Sequence, residues 1–284
     1  MRPHSGYMAA MNGLLRHIQA CNNAVLPGGR LPLLVAGEPV GWVEPAFADR
    51  LAALGAERSQ EGISVKPGQL QPFARNLSEA GLFRWRSEAF DVRAAPDGPA
   101  LTQLDRGALP SFGVQALGVH LNGLVDTAGG TKLWVARRAA DKQLDPGKMD
   151  HLVAGGVPAG HGPMATLLKE AEEEAGLSAE LAGQAEHVAT IGYAMQRREG
   201  LRRDVLYCYD LHLPEDFVPE ARDGEVEAFE LWELPRVLQA VRDTDVFKFT
   251  VNLVLIDLFL RRGMLDHEEA ASLRPALTAR EMAG

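Results

Sequence analysis

Gly155 to Leu177 reads GGVPAGHGPMATLLKEAEEEAGL, a glycine-rich entry followed by a helix-forming run that stops at Gly176. The spacing predicts a helix from about Pro163 to Ala175. At about 100° per residue, Glu170, Glu173 and Glu174 fall within about 100° of arc. Met164, Leu168, Ala171 and Ala175 cluster on a second face suited to a core. Glu172 points elsewhere. Like charges at i,i+4 destabilise a helix by about 0.2–0.5 kcal/mol per pair. The macrodipole also opposes negative charge near a helix C-terminus. A divalent cation would relieve both penalties, because hard cations take carboxylate oxygens. The glycines ahead of the helix let backbone groups approach an ion or a phosphate. The competing reading is a solvated acidic face behind an ordinary glycine turn.

The rest of the chain sets this stretch in a globular frame. Its 284 residues are 46% apolar and 24% charged, near the globular average. Net charge is −9. Residues 1–112 hold 11 basic and 10 acidic groups, whereas residues 113–284 hold 18 and 28. An acidic second half is a poor surface for nucleic acid, whose backbone needs neutralising cations. No run approaches the ~20 apolar residues of a membrane span, so neither nucleic acid nor membrane is an expected partner. Two cysteines, Cys21 and Cys208, make no disulfide framework. The N-terminus lacks an uninterrupted apolar signal core, and a reduced, cytoplasmic location is expected.

Two rhythms divide the sequence. Helices are expected over Met8–Ala20 and Ala46–Leu54, with strands at Leu31–Ala36 and Arg84–Arg93. The Pro/Gly-punctuated segment Ala94–Gly113 reads as a linker. Beyond it, strand patterns occupy Val114–Val125, Lys132–Arg138, His187–Gly192, Val205–Leu211 and Val226–Trp232, and Phe247–Arg262 reads as a buried helix. The pattern is α/β (α+β), with a smaller α+β domain over 1–112 and a larger one over 113–284.

The stretch resembles the Nudix box, G-x5-E-x7-R-E-U-x-E-E-x-G-U, where U is bulky and apolar. Gly155 stands at its first glycine, Glu170, Glu173 and Glu174 at its three clustered glutamates, and Gly176 and Leu177 at its end. Lys169 replaces the arginine, Ala171 is a small occupant of the first U, and His161 stands where the box has its first glutamate. The runs VHLNGLV (119–125), LWVARRAADKQLDPGKMDHLVAGGVPAG (133–160) and REGLRRDVLYCYDLHLPEDFVPEARDGEVEAFEL (198–231) are similar to one Nudix branch. Its members carry an N-terminal domain of unknown function, and its eukaryotic relatives are labelled thiamine pyrophosphokinase-related.

The resemblance implies a Nudix α/β/α sandwich and hydrolysis of a diphosphate bond with Mg2+ or Mn2+. Carboxylate-held cations neutralise a diphosphate and lower the pKa of a bound water, and a nearby carboxylate accepts its proton. It implies Glu170, Glu173 and Glu174 as catalytic groups. It implies the same three, with the Gly155 carbonyl and Glu225, as metal ligands, Glu227 being the alternative to Glu225. Arg137, Lys148 and His161 are candidates for phosphate contact, though surface cations are common and His161 also fits a role-free loop position. The expected partner is a small organic diphosphate, thiamine diphosphate or a damaged analogue. ADP-ribose-type or nucleotide-sugar diphosphates, a non-catalytic ligand binder and isomerase chemistry are the alternatives. The N-terminal domain is expected to serve the substrate pocket or a homodimer interface.

Overall fold

The computed structural model describes residues 5–141, 144–222 and 224–278, with side chains from Gly13 onward. The chain opens with helix α1 (Ser5–Cys21). Strands β1 (Leu31–Val35) and β2 (Glu38–Val43) follow as an antiparallel hairpin. Its turn is made by Ala36 and Gly37, both at positive φ. Helices α2 (Pro45–Ala53) and α3 (Pro67–Glu79) each begin with proline, whose fixed φ suits the first helical position. Between them lie β3 (Glu57–Arg58) and β4 (Ile63–Val65). These strands form a four-stranded sheet in the order β2-β1-β4-β3, with β1 and β4 parallel. A separate antiparallel pair, β5 (Ala89–Val92) and β6 (Thr102–Asp105), leads to a short helix α4 (Leu109–Phe112). Leu33, Leu51, Ile63, Leu70, Leu104 and Phe112 are fully buried in one core.

The expected linker is therefore mostly folded. Residues 94–101 connect β5 to β6, but Leu104, Ala108, Leu109 and Phe112 are core side chains. Proline and glycine mark a hairpin connection here rather than a domain joint. The strand expected over Arg84–Arg93 shortens to β5, because Arg86 and Glu88 amides bond the Asp105 carboxylate instead of a ladder. Helix α3 was not anticipated, since Pro72 lies inside it.

The second half is built on a mixed sheet. Its elements are β7 (Gln115–Thr127), β8 (Gly130–Arg138), β9 (Met149–Asp150), β10 (Val153–Gly156), α5 (Pro163–Ala175), α6 (Ala179–Ala182), β11 (Glu186–Arg197), β12 (Gly200–His212), β13 (Val226–Glu233), α7 (Leu234–Asp243), α8 (Phe249–Arg261) and α9 (His267–Thr278). The order is β11-β12-β7-β8-β13, with β10 on β7 and β9 on β8. Strands β7 and β12 are parallel, and the other pairs are antiparallel. Side chains alternate across it. Val119, Leu121 and Val153 meet Leu167, Ala171 and Ala175 of α5 on one face. On the other face Leu124, Val135 and Leu206 meet α7, α8 and α9. This is an α/β/α sandwich.

Helix α8 is apolar nearly all round and almost entirely buried, as such a helix must be. No described helix is long and apolar enough to cross a membrane. Helix α1 packs into this second core, where Leu14, Ile18 and Cys21 are buried with residues of α7, α8 and α9. On α5 the buried side is Thr166, Leu167, Ala171, Glu174 and Ala175. Met164, expected in the core, is exposed because it sits in the first turn, beyond the residues that meet the sheet.

Candidate active site

Strand β10 and helix α5 meet at two glutamates. Gly155 permits the first contact. A Cβ there would lie 2.6 Å from Glu170 Cγ and 2.8 Å from its Cδ, so any side chain would push the carboxylate off the strand. One turn later Glu174, 7% exposed, accepts a bond from the Ala154 amide at 3.0 Å. A charge-assisted bond of this kind fixes its carboxylate. The helix closes at Gly176, left-handed at φ +67, where the amides of Gly176 and Leu177 return to the Glu172 and Ala171 carbonyls.

Glu173 lies on the exposed edge of this face and pairs with Lys169, whose Nζ is also 3.5 Å from Glu170 Oε1. Burial pushes the Glu170 carboxyl up, Lys169 pulls it back, and Glu173 and Glu225 push it up further. Glu225, distant in sequence, is thus within electrostatic reach of Glu170. The Glu225 carbonyl accepts from Ala139 N at 3.0 Å. The structure therefore brings Glu170 and Glu174 onto Ala154 and Gly155 of one strand, with Glu173 joined to them through Lys169, while Glu225 is linked to Glu170 only by charge. All donors are hard oxygens, one carboxylate is anchored by a backbone amide, one is half-buried, and Lys169 lies beside Glu170 and Glu173. That donor chemistry fits Mg2+ or Mn2+.

A second group has closer ligand atoms. Among the described residues, His120, Asp150 and His151 are the one such trio with atoms within 4.8 Å of one another, and all three are buried. Its chemistry does not suit a cation. Arg138 and Lys248 already bond Asp150 Oδ2, at 2.7 and 3.0 Å. Asp150 Oδ1 accepts the His151 amide. The two imidazoles share an Nδ1–Nδ1 hydrogen bond of 2.9 Å. Burial pushes His120 well down and His151 down to about 4, so both are neutral at pH 7. Two fixed cations on one carboxylate oppose a third. His120 alternates with Val119 and Leu121 along β7, so this cluster lies on the face opposite α5.

The remaining candidates are engaged away from the glutamates. Arg137 pairs with Glu230 at 2.7 Å, and the other Glu230 oxygen takes the Trp232 indole N–H. Lys148 is 3.6 Å from Asp145. His161 is exposed in the loop before α5, with Nδ1 3.1 Å from the Ala159 carbonyl. Cys21 and Cys208 are buried, and burial pushes the Cys21 thiol up to about 12 and that of Cys208 well up, which leaves both inert.

The site has supports that the sequence reading missed. The Ala159 amide donates to the Ala89 carbonyl of β5 at 2.8 Å, and the Gly160 amide to Asp91 Oδ2 at 3.0 Å. The Phe90 ring packs on Gly156, where a Cβ would lie 2.6 Å from its Cζ. The one available signal was the alternation of Phe90 and Val92, which marks a strand but not its neighbour.

Comparison with known proteins bears on the same residues. The NUDIX domain model matches residues 119–250. Nudix hydrolase 20, chloroplastic, of Arabidopsis thaliana is 42% identical over 285 residues, covering 93% of this chain and 76% of its own. Nudix hydrolase 24, chloroplastic, of the same plant is 35% identical over 278 residues, with the same two coverages of 93% and 76%. The uncharacterized protein YJR142W of Saccharomyces cerevisiae is 32% identical over 205 residues, covering 67% of this chain and 59% of its own.

Proposed function

The chain belongs to the Nudix hydrolases and is a pyrophosphatase of that type; we propose that its substrate is a small organic diphosphate of the thiamine diphosphate class, damaged forms included. The reading of a metal-dependent site rests chiefly on Glu170 pressed against Gly155 while Glu174 is bonded to the next amide of the same strand. Two carboxylates one turn apart are thereby held on one strand before any ligand arrives. Such preorganisation is what a catalytic charge cluster requires. The thiamine class is supported by the resemblance to the Nudix branch described above.

Glu170, Glu174, Glu225 and the Gly155 carbonyl would hold the Mg2+ or Mn2+. Bound there, the cation would screen the diphosphate and acidify a water. Glu173, an exposed carboxylate beside Glu170 and Glu174, would take the proton from the attacking water. Lys169 holds Glu173 in position and is itself kept charged, its ammonium pushed up chiefly by the bond to Glu173.

The test is a panel of diphosphates with Mg2+, containing thiamine diphosphate, its oxidised forms, ADP-ribose and a nucleotide sugar, read as release of phosphate or monophosphate. The proposal expects the thiamine compounds to have the highest kcat/KM. Faster turnover of ADP-ribose or a nucleotide sugar would reassign the substrate, and no turnover of any member would remove the metal-dependent reading.

A further inference from the structure

The glycine-rich loop 157–162 links the two parts of the site, since it runs from Gly155 and Gly156 on β10 into the first turn of α5. Its amides turn in two directions. Val157 N donates to the Leu117 carbonyl on β7 at 2.8 Å. Ala159 N and Gly160 N donate away from the sandwich, to Ala89 O and Asp91 Oδ2 on β5. Gly160 sits at φ +77, a conformation only glycine adopts cheaply, so the loop is shaped to present that amide. Two further bonds of its tip are local, from His161 N to Pro158 O and between the His161 ring and Ala159 O. The tip is therefore fixed from outside the sandwich.

The outside partner is itself braced. Asp91 Oδ2 accepts Arg93 Nη2 at 2.8 Å as well as Gly160 N, and the Asp91 side chain is only 10% exposed. Arg93 also bonds the Gly98 carbonyl, which ties it to the β5–β6 connection. Phe90, between the two loop-binding residues, points the other way into the core of residues 33–114 and presses its ring on Gly156. One short strand thus grips the loop at residues 156, 159 and 160.

We infer that β5 is a working arm of the active site and that Asp91 is a positioning residue for the Nudix loop, setting the approach of α5 and its glutamates to Gly155. This inference rests on the hydrolase reading for its kinetic consequence but not for its structural one. Asp91 bonds the loop amide of Gly160 and the Arg93 guanidinium rather than the glutamates, so its loss should affect the rate through geometry. Asparagine at this position keeps an oxygen for the Gly160 amide, whereas alanine does not.

The experiment compares full-length wild type, Asp91→Ala and Asp91→Asn, well below their melting midpoints. Amide hydrogen exchange is followed over residues 157–162, and kcat and KM on the best diphosphate of the panel. Asp91→Ala is expected to speed exchange of the loop amides at least tenfold and to lower kcat about tenfold, with KM within threefold. Asp91→Asn is expected to restore both to within about threefold of wild type. Unchanged loop exchange in Asp91→Ala would overturn the inference, as would an Asp91→Asn variant as impaired as the alanine. If the panel shows no turnover, the hydrolase reading fails, while the exchange data still decide the role of Asp91. Loosening across the whole chain rather than at 157–162 would also overturn it, by showing a general structural role.

Discussion

Two clusters of ionisable side chains flank the same sheet. On the α5 face, Glu170, Glu173 and Glu174 line a glycine strand, with Lys169 paired to Glu170 and Glu173 and Glu225 raising the Glu170 carboxyl by its charge. On the α8 face, Asp150 is buried between Arg138, Lys248 and the His120–His151 pair. The second has closer ligand atoms and histidines, the features usually associated with a metal centre. The first offers carboxylate oxygens alone, with Glu170 and Glu174 set against one strand. Burying a carboxylate costs several kcal/mol unless it is paired, and Asp150 is paired twice. Proximity of donors alone therefore does not make a cation site, because a carboxylate already held by two protein cations has little left to offer a metal.

The two clusters should then fail in opposite ways. The largest effect is expected at the compensated one. Asp150→Asn leaves two mostly buried cations without their anion, and such losses cost about 3–5 kcal/mol. Urea denaturation should show that loss with an unchanged slope, and it should be the same with Mg2+ or with chelator. A loss below about 1 kcal/mol, or one that metal reverses, would contradict the structural assignment.

The glutamate cluster should lose chemistry and keep its fold. Glu174→Gln retains size but removes a charge, and its amide group still offers an oxygen to Ala154 N. Turnover with Mg2+ should fall at least a hundredfold, with a melting midpoint close to wild type. Wild-type-like turnover would remove Glu174 from the ligand set.

Acid should separate the clusters next. His151 is held neutral in the folded protein, down to about 4, while an unfolded histidine takes a proton near 6.5. The unfolded chain therefore binds the proton first as pH falls, and stability declines from about pH 6.5 downward. His120, also pushed down, acts in the same direction. The facing groups are Asp150, Lys248 and Asp210, and Asp150 stays charged through this range because Lys248 and Arg138 hold it far below the usual carboxylate range. Urea midpoints at pH 7.5, 6.0 and 5.0 should fall steadily, and His151→Gln should flatten the trend. An equally steep trend in the variant would place the titration elsewhere.

The contrast also explains what could be read from sequence. Glu170, Glu173 and Glu174 are local, and helical spacing alone puts them on one face. Gly176 and the apolar run of α8 are equally local signals. His120 and His151 meet only because β7 and β10 pair antiparallel with Ala154 opposite His120, a register no local pattern carries. Asp91 meets Gly160 across two halves of the chain by a side-chain bond to a loop amide, which no local pattern carries either. Helix α7 is a different case. Leu234, Val237 and Val241 carry a helical spacing that was legible and went unread, with Pro235 at its start. The docking of α1 on α7, α8 and α9 was not legible, since an amphipathic helix does not name its partner.

The smallest expected effect tests the lysine beside the glutamates. Lys169 bonds Glu173 and lies near Glu170, so it competes with a cation for the same oxygens. It is half-exposed, and exposed ion pairs contribute only about 0.2–1 kcal/mol. Lys169→Met keeps the apolar stem and removes the charge. The balance of carboxylates then shifts further toward negative, and Mn2+ or Mg2+ should bind about two- to fivefold tighter in a calorimetric titration. The opposing argument is that Lys169 orders Glu173, and that freeing this side chain costs more entropy on binding than the lost repulsion returns. Weaker binding in Lys169→Met would support that view. It would mean that the residue standing at the box arginine serves the glutamates as a brace rather than a rival cation.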